Sequence, residues 1–240
     1  MEERKYFKLF KDFPPMQHIQ NLILVGTSHI AQQSVDDVKS AIQTHKPKVI
    51  AIELDKKRMD ALLHTQRRKM HISDIKRMGV KGFLFNIIGA WAEKKLGKMV
   101  GLPPGSEMKT AIHLAKETNT LLALIDQDIH VTLKKLSKEM AFSEKLRLIK
   151  EILVSTILPK QKIKIDLRRV PSEQLIAKLT QRMKKEYPSL YRILVTERNL
   201  FMAKALYKIM NSYPQEKIVA IVGAGHVKDI AYLLKKEETW

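Results

Sequence analysis

Two histidines stand in near-identical settings at opposite ends of this chain. His29 closes Leu22-Ile-Leu-Val-Gly-Thr-Ser-His29, and His226 closes Ile218-Val-Ala-Ile-Val-Gly-Ala-Gly-His226. Each comes after an apolar run with the spacing Gly-x-x-His. The runs read as strands buried on both faces. A glycine at the strand end lets the backbone turn sharply and leaves room beside the next side chain. Acidic residues end two further apolar runs: Glu53 and Asp55 close Val49–Asp55, and Asp126 and Asp128 come directly after Leu121–Ile125. An imidazole offers a metal-binding nitrogen or a general base; a carboxylate offers an oxygen ligand or takes a proton from water. The chain has no cysteine, which excludes disulfides, thiolate metal sites and cysteine nucleophiles. Nitrogen and oxygen donors without sulfur suit zinc, manganese, cobalt or iron(II).

These residues act together only if the fold gathers them. Strand one is expected at Leu22–Val25 and strand two at Val49–Asp55, with a helix between them. Val35, Val38, Ala41 and Ile42 form its apolar face, and Ser34 reads as its N-cap with Asp37 three residues on. Strand, helix, strand with short links is a right-handed unit with parallel strands. Strand three is expected at Leu121–Ile125 and strand four at Ile218–Val222, and residues 1–20 leave room for an edge strand. Ser106 reads as the cap of a helix with Glu107 in its first turn. Ser172 reads as another cap, Pro188 starts a helix through Met210, and a last helix begins near Val227. Strands alternating with helices predict an α/β fold, a mostly parallel central sheet with flanking helices and a long helical insertion. The 240 residues read as a single domain, with helical insertions at about 56–100 and 130–212. In a parallel sheet all strand ends lie on one edge, where such sheets bind ligands. His29, Glu53, Asp126 and His226 are therefore expected to converge.

Each of these residues also has a purely structural use. A histidine after a glycine serves as a hydrogen-bonding core residue, Glu53 as an ion-pair partner or cap, and Asp126 as a cap. Arg198 lies within the apolar helix pattern Leu194, Val195, Leu200, Phe201, Met202, so it reads as partly buried. Such an arginine takes a carboxylate such as Glu53 or Asp126, or clamps a substrate carboxylate or a developing oxyanion. Gly223-Ala-Gly225 lacks the third glycine of a dinucleotide-binding loop.

The charge is strongly one-sided: 44 basic against 25 acidic residues, for a net +19. That attracts polyanions, and the basic, amphipathic stretch Lys56–Lys81 makes an anionic membrane surface one expected partner. With 6% aromatic residues and no helix-turn-helix, zinc-finger or basic-zipper pattern, no nucleic acid partner is expected. No apolar run reaches about 18 residues, and the start Met-Glu-Glu-Arg-Lys leads into no apolar segment. A cytoplasmic location is expected, with membrane association second. A homodimer through the apolar helical region is a further expectation.

Taken in order, these segments resemble the TraB/PrgY pheromone-shutdown family. The resemblance rests on Gly26-Thr-Ser-His29 with Ser34-Val-Asp-Asp-Val38, Ile50-Ala-Ile-Glu-Leu-Asp-Lys-Lys-Arg58, Pro104-Gly-Ser-Glu-Met-Lys-Thr-Ala111 and Ile125-Asp-Gln-Asp-Ile-His-Val-Thr-Leu133. It continues through Glu197-Arg-Asn-Leu-Phe-Met202 and Val222-Gly-Ala-Gly-His-Val227. It implies kinship with Tiki metalloproteases, ChaN-like haem-binding proteins and erythromycin esterases. It implies that His29, Glu53 and His226 are metal or catalytic groups, with Arg198 and Asp126 nearby. Members of the PrgY type are implicated in blocking a peptide pheromone by degrading or sequestering it. The expectation is a metal-dependent hydrolase acting on peptides. His29, His226 and Glu53 hold a divalent transition metal (manganese, cobalt or zinc), Asp126 or Glu107 assists, and Arg198 orients the substrate or stabilises the oxyanion. The alternative is a protein that binds a peptide in the same cleft without cleaving it.

Overall fold

The computed structural model describes residues 16–28, 32–64, 105–157 and 173–236. Its sheet comprises β1 (Met16–Ile19), β2 (Leu22–Thr27), β3 (Val49–Ile52), β4 (Leu121–Leu124) and β5 (Ile218–Gly223) in the order β1-β2-β5-β3-β4. β1 is an antiparallel edge strand and all other pairings are parallel. β5 comes last in the sequence but fills the middle of the sheet, with Ile218 opposite both Leu22 and Val49. β2 and β3 are parallel, as the strand–helix–strand pattern predicts, but they are not neighbours. The uninterrupted apolar run of β5 explains its place, because a central strand is covered on both faces.

The helices are α1 (Gln32–His45), α2 (Lys56–Leu63), α3 (Ser106–Glu117), α4 (Ile129–Glu139), α5 (Phe142–Ile157), α6 (Glu173–Glu186) and α7 (Pro188–Tyr191). A π-helical turn (Arg192–Thr196) leads into α8 (Glu197–Ser212), and α9 (Ala224–Lys235) comes after β5. Alternate strand residues enter opposite layers, as the two-residue period of a strand requires. Leu22, Leu24, Ile218, Ala220 and Val222 pack with Met202, Leu206, Ile230 and Leu234 of α8 and α9. Ile23, Val25, Val219 and Ile221 pack with Val38, Ala41, Met108 and Ala111 of α1 and α3. Hence the chain covers one face before β4 and the other after it.

Two expected caps and one expected helix start are corrected. Ser34 does not cap α1; it lies inside the first turn of a helix that includes Gln32, and it is fully buried. Its Oγ accepts the Ser28 N–H at 2.8 Å, tying the end of β2 to α1. Ser106 is the first residue of α3, and Gly105 takes the cap position with φ +80°, a left-handed conformation that glycine adopts without strain. The last helix starts at Ala224 rather than near Val227, with Gly223 as its cap. Gly225 and His226 therefore sit in a first helical turn and not on a loop. The stretch expected to be helical after residue 130 breaks between α4 and α5 at Met140–Ala141. Most of the basic stretch Lys56–Lys81, like Ser172, lies outside the described residues. No described helix is long and apolar enough to cross a membrane.

Replacing Ser34 with alanine removes the acceptor for Ser28 N–H. The expected result is a loss of about 1–2 kcal/mol in unfolding free energy, read from urea titrations. An unchanged midpoint contradicts the tether.

Candidate functional site

Glu53 stands one residue past β3, where its N–H still bonds to Ile221 O of β5. Its carboxylate is 4% exposed and turns toward the end of β5. Oε2 accepts Gly223 N–H at 2.6 Å, at the start of α9. A helix start carries partial positive charge and unsatisfied N–H groups, so a carboxylate is stabilised there.

Arg198 holds the other oxygen. Its Nη2 donates to Glu53 Oε1 and to Asp126 Oδ2 (2.6 Å), and its Nε donates to Asp126 Oδ1 at 3.0 Å. Nη1 donates to Leu194 O at 3.1 Å, within the π-helical turn that precedes α8. Such a turn inserts one residue into a helix and re-aims the side chains beyond it. Asp126 is paired again by Arg58 Nη2, and Arg58 Nε reaches Asp55 Oδ2 at 2.5 Å. Asp55 also caps α2, accepting from Lys57 N at 2.9 Å and Arg58 N at 3.1 Å. Burial by itself pushes the Asp126 carboxyl up, but the Arg198 and Arg58 guanidiniums more than offset this and hold it below the usual range. Burial likewise opposes the charge on Arg198, and Asp126 and Glu53 overcome it and keep the guanidinium protonated.

His226 lies against the same Glu53 oxygen as Arg198. Its Nε2 lies 3.4 Å from Glu53 Oε1. Its Nδ1 lies 2.5 Å from Asn199 Oδ1, and Asn199 Nδ2 donates to Asp229 Oδ2 at 3.1 Å. Tyr191 OH donates to the same Asp229 oxygen at 3.3 Å. With Nδ1 donating to the Asn199 carbonyl, the lone pair of a neutral ring lies on Nε2 and faces a carboxylate oxygen. A cation between the two would stabilise that arrangement.

Beside this pair lies a cleft of about 270 Å³, lined by Thr27 and Ser28 at the end of β2, Gly223 to His226 at the end of β5, and Ile176 of α6. It opens where the connection after β2 crosses one face of the sheet and that after β5 crosses the other, the place where such sheets bind ligands. A Cβ on Gly225 would meet no atom within 4 Å, so only the lack of a side chain keeps this part of the cleft clear.

A metal fits this end of the site in part. Two ligands held at about 2.0–2.1 Å by one tetrahedral ion stand about 3.4 Å apart, the separation of His226 Nε2 and Glu53 Oε1. Asn199 on the other ring nitrogen is the usual support for a ligating imidazole. Opposing this, Arg198 Nη2 donates to the same Glu53 oxygen, so a cation there shares that oxygen with a guanidinium. Among the described residues no three His, Asp or Glu side chains are grouped to hold an ion. His29, the third expected ligand, lies outside the described residues.

Of the expected site residues, the fold therefore brings Glu53, Asp126 and Arg198 into one hydrogen-bonded cluster, with His226 Nε2 3.4 Å from Glu53 Oε1. Glu107 is 1% exposed in the first turn of α3, on the helix that packs over the β3 side of the sheet. Sequence reasoning missed Arg58, Asn199 and Asp229. Signals were present for two of them: Asn199 comes directly after Arg198, and Asp229 lies three residues after His226, on the same side of a helix. Nothing distinguished Arg58 from the lysines around it.

The chain matches the TraB/PrgY/gumN family over residues 17–239. It is similar to an uncharacterized protein of Methanocaldococcus jannaschii, 35% identical over 91% of this chain and 54% of that protein. It is also similar to the TraB domain-containing proteins of Mus musculus and Homo sapiens, at 23% and 24% identity over 86% of this chain and 61% of each. The chain thus spans between half and two thirds of these relatives' lengths.

Proposed function

This chain belongs to the TraB/PrgY/gumN family, and from that premise we propose that the cleft at the ends of β2 and β5 is the active site of a metal-dependent hydrolase acting on peptides. One observation carries the reading. The Nε2 of His226 faces Glu53 Oε1 at 3.4 Å while Asn199 occupies the other ring nitrogen. His29, His226 and Glu53 are the proposed ligands of a divalent transition metal, zinc, manganese or cobalt. Such an ion supplies a coordinated water of lowered pKa and polarises a carbonyl. The chain's own groups do the rest. Gly223 N–H and Arg198 hold the Glu53 carboxylate in one orientation. Asp126 assists by holding Arg198 from the far side. Glu107 is the second proposed assistant. The open space at Gly225 admits a peptide backbone next to His226.

A second reading has its own support. Counted at their ordinary charges, Glu53, Asp55 and Asp126 are three carboxylates against two guanidiniums, Arg58 and Arg198, all linked by hydrogen bonds. Such a network also makes a rigid wall for a cleft that binds a peptide and leaves it intact.

Metal content separates the two. The protein is purified without added metal and without an affinity tag, beside His29→Ala and His226→Ala. About one transition metal per chain, lost in both variants, together with peptide turnover abolished by a chelator, is the expected result. Absence of metal after incubation with manganese, cobalt and zinc, with saturable binding of uncleaved peptide, overturns the hydrolase in favour of sequestration.

A further inference from the structure

We propose that Asp229, acting through Asn199, decides which ring nitrogen of His226 carries the proton, and so turns the Nε2 lone pair toward Glu53. The role of that lone pair rests on the reading of His226 as a metal ligand; the assignment of the proton does not.

An ionised Asp229 carboxylate can only accept hydrogen bonds. Its Oδ2 takes one from Asn199 Nδ2 at 3.1 Å and one from Tyr191 OH at 3.3 Å. Asn199 is 1% exposed, so its amide cannot turn to water. With the NH₂ end committed to Asp229, the carbonyl end must face His226. A carbonyl oxygen also only accepts, so the ring nitrogen 2.5 Å away, Nδ1, is the one that donates. Glu53 Oε1 pulls the other way, because a proton on Nε2 could donate to it. That contact is longer, at 3.4 Å, and Arg198 and Gly223 N–H already supply the carboxylate with donors. A neutral imidazole has one proton to share between these two acceptors, and the shorter contact takes it.

Three elements must be in register for this to work. Tyr191 ends α7, Asn199 lies in the first turn of α8, and Asp229 stands three residues after His226 on α9. The π-helical turn separates Tyr191 from Asn199 and shifts the phase of one against the other,. Asp229 and Asn199 are thus positioning residues. Neither lines the cleft, whereas His226 does.

The test uses the full chain, metal-free, with ¹⁵N-labelled histidine, at an alkaline pH where imidazoles are neutral. Long-range ¹H–¹⁵N spectra report which ring nitrogen is protonated. The expected result is Nδ1–H in the wild type, moving to predominantly Nε2–H in Asp229→Ala and Asn199→Leu. Cobalt(II) alone, titrated into the same samples, should bind about 10–100-fold more weakly in the variants. A merely structural role for Asp229 would leave the tautomer unmoved. Asp229 is only half-buried, so Asp229→Ala carries the test if Asn199→Leu fails to fold. An Nε2–H wild type, or an Nδ1–H ring retained in folded Asp229→Ala, overturns the proposal. A wild type that binds none of cobalt, zinc and manganese but shows the expected tautomers overturns the metal-dependent hydrolase and leaves this assignment standing.

Discussion

Arg198→Met is expected to lower folding stability by about 3–5 kcal/mol at neutral pH. The size reflects the groups that the guanidinium leaves behind. Its partners, Glu53 and Asp126, are 4% and 0% exposed. Asp126 keeps Arg58 and Glu53 keeps Gly223 N–H, but the shared cation between the two acids is lost. A buried ion pair contributes little compared with well-packed apolar groups, because both charges were taken out of water. Breaking it from one side leaves buried charge away from water and short of its neutralising partner, which is far more costly. Urea unfolding of wild type and variant measures the difference. The double variant Arg198→Met/Glu53→Gln should recover part of the loss, since one stranded charge has been removed, and the two changes should be strongly non-additive. A loss below about 1 kcal/mol, the range of exposed pairs, would show that water reaches the cluster.

Asp126→Asn attacks the same cluster from its anionic side and adds a dependence on pH. An amide in place of the carboxylate leaves Arg58 and Arg198 without the acid they share, and the expected loss at neutral pH is about 3 kcal/mol. Burial raises the Asp126 pKa and the two guanidiniums lower it by more, so the folded protein holds this proton less tightly than the unfolded chain. The stabilisation is then fully present above the ordinary value of 3.8 and fades as the pH falls through the lower folded value. Glu144 and Glu197 are held low as well, so the wild type loses stability in acid for several reasons at once. The informative quantity is therefore the difference between wild type and Asp126→Asn. It should be large at neutral pH and shrink on the acid side of 3.8. A difference constant across that range would mean that Asp126 does not carry its charge in the folded state.

Both variants leave the hydrophobic layers untouched, and those layers were largely legible in the residues themselves. The runs at Leu22, Val49, Leu121 and Ile218 each became a strand, and only the run from Val49 stops well short of its expected end, at Ile52. An apolar run bounded by turn residues has few other uses in a chain of this composition. Helix limits were harder to read. Ser34 and Ser106 have the side chain of a cap, yet one is used to anchor Ser28 and the other yields the cap to Gly105. A serine hydroxyl bonds equally well to whichever backbone group the fold presents, so local chemistry did not settle its partner.

The sequence by itself determined that this is an α/β protein with acids and imidazoles at strand ends, because apolar periodicity and strand-end position are local properties. It also marked Arg198 as partly buried and in need of an anion, either an acid such as Glu53 or Asp126 or a substrate group, since a cation in an apolar helix face needs a partner. Only the tertiary structure decided that Arg198 takes both acids at once, that Arg58 joins from the other side, and that Asn199 and Asp229 stand behind His226. The physical reason is that ionic and hydrogen-bonding partners are chosen through space. β5 arrives last in the chain yet inserts between β2 and β3, and that placement alone sets Gly223 N–H and His226 against a carboxylate 170 residues earlier.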